Sequence, residues 1–364
     1  MKIAYLNGIY RKNSIYGGSV HVNQFIENAI ALGHKVYTTS NDEHQETLKL
    51  PKNRWRRFRL LQKIGVFYYR IEFELPLGSR WFKFPYFNLV GRPLIVWEFN
   101  TTPDFGKIVG KSKIEIERTK KKFQKKSKYC DLAVCVSNRL KGYVVENFNI
   151  KNAITVPNAS DPKSFAPEIE IISSNAINEI NLNVVWIGSA NLKWHNLELL
   201  REAANILYKR QGASDPRIIF HIIGPGLDSN IDMPPNVIYH GFVEYQKLPN
   251  WLAAMDVGIC IYEPGPADYS SPLKLFDYLS SGLVVVGTDQ PQVREVLQQL
   301  GRLDLIVQQY DSKALSSVLI KLFNDRSILS HLGEAGRQLV IDRYSWKKNV
   351  KDIMNAIESC LPRR

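Results

Sequence analysis

Short apolar runs alternate with amphipathic helical stretches in both halves of the chain, and this alternation constrains the fold more than any other feature. Lys2–Asn7 is short and apolar, and the loop after it ends in Gly17 and Gly18. Val20, Val22, Phe25, Ile26, Ala29, Ile30 and Leu32 then recur at helical spacing until Gly33, and His34–Thr39 reads as a second strand. Leu94–Glu98 and Leu132–Val136 are further strands, with a long charged helix between them. Pro157, Pro162 and Pro167 break the pattern over Thr155–Pro167, the expected linker. The alternation then resumes with strands at Asn183–Gly188, Ile218–Ile223, Val237–Tyr239, Val257–Ile261 and Leu283–Val286, and a helix over 196–210. Strands that alternate with helices form parallel sheets covered on both faces. The chain therefore reads as two doubly wound α/β domains in tandem, with ligands at the carboxyl ends of the strands. Its 364 residues exceed what a single core usually supports.

Composition removes several classes. With 45% hydrophobic and 23% charged residues, the chain is neither disordered nor collagen-like. No apolar run approaches the 18 residues of a membrane span, and no secretory signal is expected at the N-terminus. Cys130, Cys135, Cys260 and Cys360 form no C-x-x-C pair, so buried reduced thiols in a cytosolic protein are expected. An excess of 48 Lys and Arg over 35 Asp and Glu gives a net charge of +13, which points to an anionic partner.

Three stretches carry candidate chemistry. Gly17 and Gly18 open the first helix, either as a tight turn or where free N–H groups suit an anion. Gly188–Asn196 follows the first strand of the second half, and Lys193 and His195 there either hold a diphosphate or sit on a capped surface helix. Glu263–Gly282 is a Pro- and Gly-rich loop ending in Ser270-Ser271-Pro272, a good helix start with serine as the cap. Lys274 and Asp277 follow on one helix face, where they divide a nucleotide between them or form an i,i+3 salt bridge. The G-x-G-x-x-G fingerprint is absent from both first loops, which disfavours a nicotinamide or flavin dehydrogenase.

Taken in order, these motifs resemble the retaining glycosyltransferases of family 4, with the GT-B fold, of the bacterial polysaccharide type. The resemblance rests on Gly17-Gly18, on Val156–Asp161 before Phe165 and Pro167 (similar to V-P-N-G-V-D-x-x-x-F-x-P), on Ile222–Gly226, Asn236–Val243, Leu248–Val257 and Ser271–Leu279. It implies two Rossmann-like domains facing across a cleft: an acceptor-binding domain over 1–165 joined by a crossing helix over 345–364, and a nucleotide-sugar-binding domain over 166–344. It implies that Asp277 matches the second acidic position of the family's E-x7-E pair and holds ribose hydroxyls. The first position is Tyr269, a departure, and the Ser270–Lys274 backbone, with Ser271 and Leu273, stands in for it. Lys193, His195 and Lys274 are expected to surround the diphosphate, and Val243 lies where the family's backbone meets the base.

On the acceptor side, Glu98 and Asn100 end a strand and either orient an acceptor hydroxyl or, for Glu98, serve as a buried structural acid. The implied reaction moves a sugar, by default from a uridine diphosphate sugar with glucose ahead, to a saccharide or lipid-linked acceptor, with positive groups stabilising the leaving diphosphate. No metal or other cofactor is expected, since no D-x-D pair stands in a suitable loop. A nucleic-acid-binding protein using Lys120, Lys121, Lys122, Lys125, Lys126 and Lys128, and a sugar-nucleotide epimerase, are the rival readings. Arg54, Arg56, Arg57 and Arg59 interleave with Trp55 and Phe58 in a stretch that stays aromatic to Phe84. This pattern predicts peripheral attachment to an anionic bilayer at the cytoplasmic face, the alternative being aromatics that pack an acceptor pocket or core beside solvated arginines.

Overall fold

A computed structural model describes residues 1–6, 17–38, 48–49, 53, 56, 59, 63–71, 93–166, 177–178, 180–211, 217–228 and 230–361. The chain divides into two compact units. One comprises Met1–Asn158, Tyr269–Ser271 and Trp346–Arg364, the other Ala159–Asp268 and Pro272–Ser345.

Among the described residues, the first unit has seven parallel strands: β1 (Lys2–Leu6), β2 (Lys35–Thr38), β3 (Leu48–Lys49), β4 (Val66–Ile71), β5 (Leu94–Phe99), β6 (Leu132–Cys135) and β7 (Ala153–Thr155). They lie in the order β3-β2-β1-β4-β5-β6-β7. Side chains alternate between the faces of a strand, and here both sets are apolar. Ile3, Tyr5, Val66, Tyr68, Val96 and Val134 pack with Val22, Phe25 and Ile26 of helix α1 (Gly17–Ala31) and with Val350, Ile353 and Ile357 near the chain's end. Ala4, Leu6, Phe67, Tyr69, Trp97 and Phe99 face the opposite way. They meet Phe123 of α2 (Lys113–Lys126) and Leu140, Val144 and Phe148 of α3 (Asn138–Phe148).

Of these strands, sequence reading did not delineate β3, β4 and β7, of which β4 is the longest. It lies inside the aromatic stretch after Pro51, and its alternate residues fill both faces of the sheet. The long charged helix is present as α2, closed by a capping box between Ser112 and Glu115. Of the arginine and aromatic cluster, Arg54, Trp55, Arg57 and Phe58 lie outside the described residues, as do Trp81, Phe82 and Phe84.

The second unit holds six parallel strands in the order β10-β9-β8-β11-β12-β13. They are β8 (Leu182–Ile187), β9 (Ile218–Ile223), β10 (Val237–Gly241), β11 (Val257–Cys260), β12 (Val284–Thr288) and β13 (Ile306–Val307). The intervening helices are α4 (Leu197–Gln211), α5 (Leu248–Leu252), α6 (Leu273–Ser280), α7 (Pro291–Gln299), α8 (Ser312–Asn324) and α9 (Ser327–Arg343). One apolar cluster runs through the unit, from Val184, Trp186 and Phe220 on the strands to Leu275 and Leu279 on α6 and Val340 on α9. The last helix, α10 (Trp346–Cys360), belongs to the first unit, where Val350 and Ile353 join the α1 face of the sheet.

Candidate functional site

In the second unit the loops after β8 and β9 come together on glycine. A Cβ placed on Gly224, whose φ is +137°, would lie 1.9 Å from the Gly188 carbonyl oxygen, so only glycine permits this approach. A Cβ on Gly188 would lie 3.0 Å from the Lys274 Nζ and 2.9 Å from Cη2 of Trp186. These glycines therefore open the carboxyl ends of adjacent central strands directly onto Lys274.

Lys274 stands in the first turn of α6 and is only 9% exposed. Its Nζ has no hydrogen-bond partner among the described residues. It lies 4.3 Å from the ring centre of Trp186, on β8, and 5.3 Å from that of Tyr262, just after β11. Burial pulls its pKa down to about 8. A buried ammonium without an anionic partner is costly, and an entering anion relieves that cost. Trp186 Nε1 is a second buried donor without a partner.

His195 closes the one-turn helix Lys193–His195 and packs edge-on against the same two rings, 5.5 Å from Trp186 and 5.6 Å from Tyr262. Its Nδ1 lies 3.0 Å from the Ser189 carbonyl oxygen. Burial, reinforced by the Lys274 charge, lowers its pKa to about 3. It stands beside Lys274 as a neutral ring, not as a second cation. The Lys193 side chain lies outside the described residues.

Asp277 is on the same helix and is not paired with Lys274. Its Oδ1 accepts from the Ser160 hydroxyl at 2.7 Å and from the Tyr245 hydroxyl at 3.2 Å. Burial raises its pKa to about 7 against those two hydrogen bonds. Asp277 is 2% exposed, so in this structure its carboxylate addresses these hydroxyls.

The serine cap expected for α6 is absent. Pro272 is the N-cap, without a side-chain bond, because the Ser271 hydroxyl instead accepts from the Asn158 N–H at 3.0 Å. Tyr269, Ser270 and Ser271 are grouped with the first unit. There the Tyr269 carbonyl accepts from the Ser137 hydroxyl at 2.7 Å, and its ring meets Tyr143 at 5.5 Å and Arg139 at 5.1 Å. Leu273 opens α6 half-buried, and Val243 lies half-buried just beyond β10. Gly17 and Gly18 begin α1.

On β5 of the first unit, Glu98 is fully buried. Its Oε1 pairs with the Arg70 guanidinium and lies 2.5 Å from His21 Nε2. Burial pushes its pKa up, but the His21 and Arg70 charges outweigh that and hold it at about 2. His21 Nδ1 in turn contacts Asn158 Oδ1 at 2.8 Å. Glu98 is thus enclosed as one member of a charge cluster. Asn100, just after β5, is half-buried and donates its backbone N–H to the Ile71 carbonyl at 3.0 Å.

Trp186, Tyr262, Tyr245, Ser160, His21 and Arg70 were not singled out from sequence. Trp186 reads as an ordinary apolar strand residue, and Tyr262 lies just past the end of an expected strand. Arg70 carried a signal, a lone charge inside the otherwise apolar run Val66–Ile71. Among the described residues no three His, Cys, Asp or Glu side chains gather as a metal ion requires, and no helix is long and apolar enough to cross a membrane.

Residues 181–325, which include Gly188, His195 and Lys274, match the family model described as glycosyl transferases group 1. That match falls almost entirely within the second unit. A Bacillus subtilis (strain 168) protein whose name assigns it to teichuronic acid biosynthesis as the glycosyltransferase TuaH is 36% identical over 63 residues. That match spans 17% of this chain and 16% of TuaH. Among solved structures, HepE from Anabaena, in complex with UDP and glucose, superposes with a TM-score of 0.69 at 12% identity, covering 99% of this chain and 100% of HepE. A glycosyltransferase from Rickettsia africae superposes with a TM-score of 0.71 at 13% identity, covering 100% and 99%. The fold is the two-domain α/β fold of these GT-B glycosyltransferases.

Proposed function

We propose that the chain is a retaining glycosyltransferase of family 4 that moves a sugar from a nucleotide diphosphate sugar to a saccharide or lipid-linked saccharide acceptor. The observation that carries this reading is the buried, unpartnered Lys274 ammonium facing Gly188 at the strand ends of the glycosyltransferase domain. A diphosphate supplies the missing anion, and the glycines at 188 and 224 leave room for it to approach the backbone. As the glycosidic bond breaks, charge develops on the leaving diphosphate, and a preorganised cation there stabilises the transition state.

Three further points support the finer reading. The ordered motifs resemble family 4, whose members retain anomeric configuration. HepE is described with UDP and with UDP-glucose, which favours a uridine donor. TuaH is named for an envelope polysaccharide, which favours a glycan acceptor. The reading needs no metal, because Lys274 supplies the neutralising charge. Incubation with UDP-glucose and a panel of saccharide and lipid-linked acceptors, with the product's anomeric configuration read by NMR, tests it. An α-linked product supports the reading; an inverted linkage, or epimerised donor in the absence of acceptor, contradicts it.

Peripheral attachment to an anionic membrane surface belongs to the same proposal. Lys113, Lys121, Lys122 and Lys125 of α2 are exposed, and Ile114 among them is 65% exposed. Each basic residue near an anionic bilayer contributes roughly 1 kcal/mol. Equal co-sedimentation with anionic and neutral vesicles would contradict attachment.

A further inference from the structure

We infer that His195 is a hydroxyl-recognising residue of the donor site: a neutral imidazole that accepts a hydrogen bond, through Nε2, from a hydroxyl adjoining the bound diphosphate. The inference rests on the donor reading above and goes beyond it in assigning this ring the opposite role to a phosphate ligand.

The tautomer follows from the partner. A backbone carbonyl only accepts, so the 3.0 Å contact with Ser189 requires the proton on Nδ1. A neutral ring with Nδ1–H carries its lone pair on Nε2. Nε2 makes no hydrogen bond among the described residues and is not sealed from solvent, whereas the neighbouring Lys274 Nζ and Trp186 Nε1 are buried donors without partners. The ring is kept neutral by its burial and by the nearby Lys274 ammonium. A neutral acceptor repels a phosphate oxygen and attracts a hydroxyl. The Trp186 and Tyr262 rings flank both His195 and Lys274, so a ligand whose anion reaches Lys274 carries its neighbouring atoms past His195. In a nucleotide sugar, those neighbours are the hydroxyls of the transferred sugar and of the ribose.

The test compares wild type with His195→Phe, which keeps a buried ring and removes the acceptor, and with His195→Gln, which restores one. Calorimetric titration uses inorganic pyrophosphate, uridine diphosphate and UDP-glucose. The expected result is an unchanged pyrophosphate affinity in His195→Phe, with an approximately tenfold loss for a hydroxyl-bearing ligand and partial recovery in His195→Gln. Loss for UDP-glucose alone assigns the sugar hydroxyl, and loss for both nucleotides assigns the ribose. An equal loss of pyrophosphate, or no loss for any ligand, overturns the inference while leaving the donor reading intact. Failure of wild type to bind any of the three overturns the donor reading itself. Nitrogen-15 NMR of the wild type provides a check independent of folding of the variants. It should show the Nδ1–H tautomer persisting at pH 5, and an Nε2–H tautomer or an imidazolium at that pH would refute the assignment.

Discussion

The ammonium of Lys274 lies 4.3 Å from the centre of the Trp186 ring. Aromatic faces attract a cation through their quadrupole, and a desolvated contact of this kind contributes on the order of 2 kcal/mol. That is a partial substitute for lost hydration, and among the described residues it leaves the donors of Nζ without hydrogen-bond acceptors. The site therefore holds a cation ready for an anion and screened from water.

This poise fixes a pH dependence. Burial lowers the Lys274 pKa to about 8, so the charged form that an anion requires is lost as pH rises through that value. Affinity for UDP-glucose, whose diphosphate diester does not titrate in this range, should be level below about pH 7 and fall toward tenfold per pH unit above pH 8. Titrations from pH 6 to 10 check this, and affinity that stays level to pH 10 would contradict it.

The Glu98 cluster predicts a large stability effect in the first unit. Replacing Glu98 by Ala removes the buried carboxylate that faces both Arg70 and His21, which costs about 3–5 kcal/mol. Hydrogen exchange of β4 and β5 amides should show the loss. Unchanged protection would mean that Arg70 finds another partner.

Asp277 gives the stability of the second unit a pH response of its own. Its pKa rises from 3.8 to about 7 on folding, so its contribution is full below pH 3.8 and lost as pH rises toward 7. Asp277→Asn keeps an acceptor for Ser160 and Tyr245 and removes the titration. The variant should gain stability relative to wild type between about pH 4 and 7, with a constant difference above. Parallel profiles would show that the carboxyl does not titrate there.

His221 acts on the acid side. It is bonded to His240 at 2.9 Å and contacts Asn183 at 3.3 Å, and burial followed by the His240 charge lowers its pKa to about 4. A depressed base contributes stability above pH 6.5 that is lost as pH falls toward 4, with a slope of up to about 1.4 kcal/mol per pH unit. His221→Gln should flatten that limb of the thermal-stability profile. An unchanged slope would place the acid sensitivity elsewhere.

The parallel sheets were legible because short continuous apolar runs separated by helical runs leave little alternative. β4 was harder, since Val66–Ile71 sits among aromatic and basic residues and carries Arg70, whose partner Glu98 is 28 positions away. Lys274 could be picked out as a cation at a helix start. Its aromatic enclosure could not, because Trp186 on β8 and Tyr262 just after β11 are far apart in sequence and nothing in their own neighbourhoods distinguishes them from core. The nearby Asp277 invited a pairing with Lys274, yet the fold gives Asp277 the Ser160 and Tyr245 hydroxyls. Ser271 likewise had the local pattern of a cap but was taken by Asn158, 113 residues earlier.

The most direct measurement is calorimetric titration of wild type and Lys274→Met with uridine diphosphate. Methionine retains the volume and removes the buried charge, so the variant should fold at least as well as wild type. Wild type is expected to bind, and the variant to bind roughly 10- to 150-fold more weakly, the range for losing a hydrogen bond to a charged group. Equal affinities, or no binding by the wild type, would contradict the account of Lys274 as the diphosphate's partner.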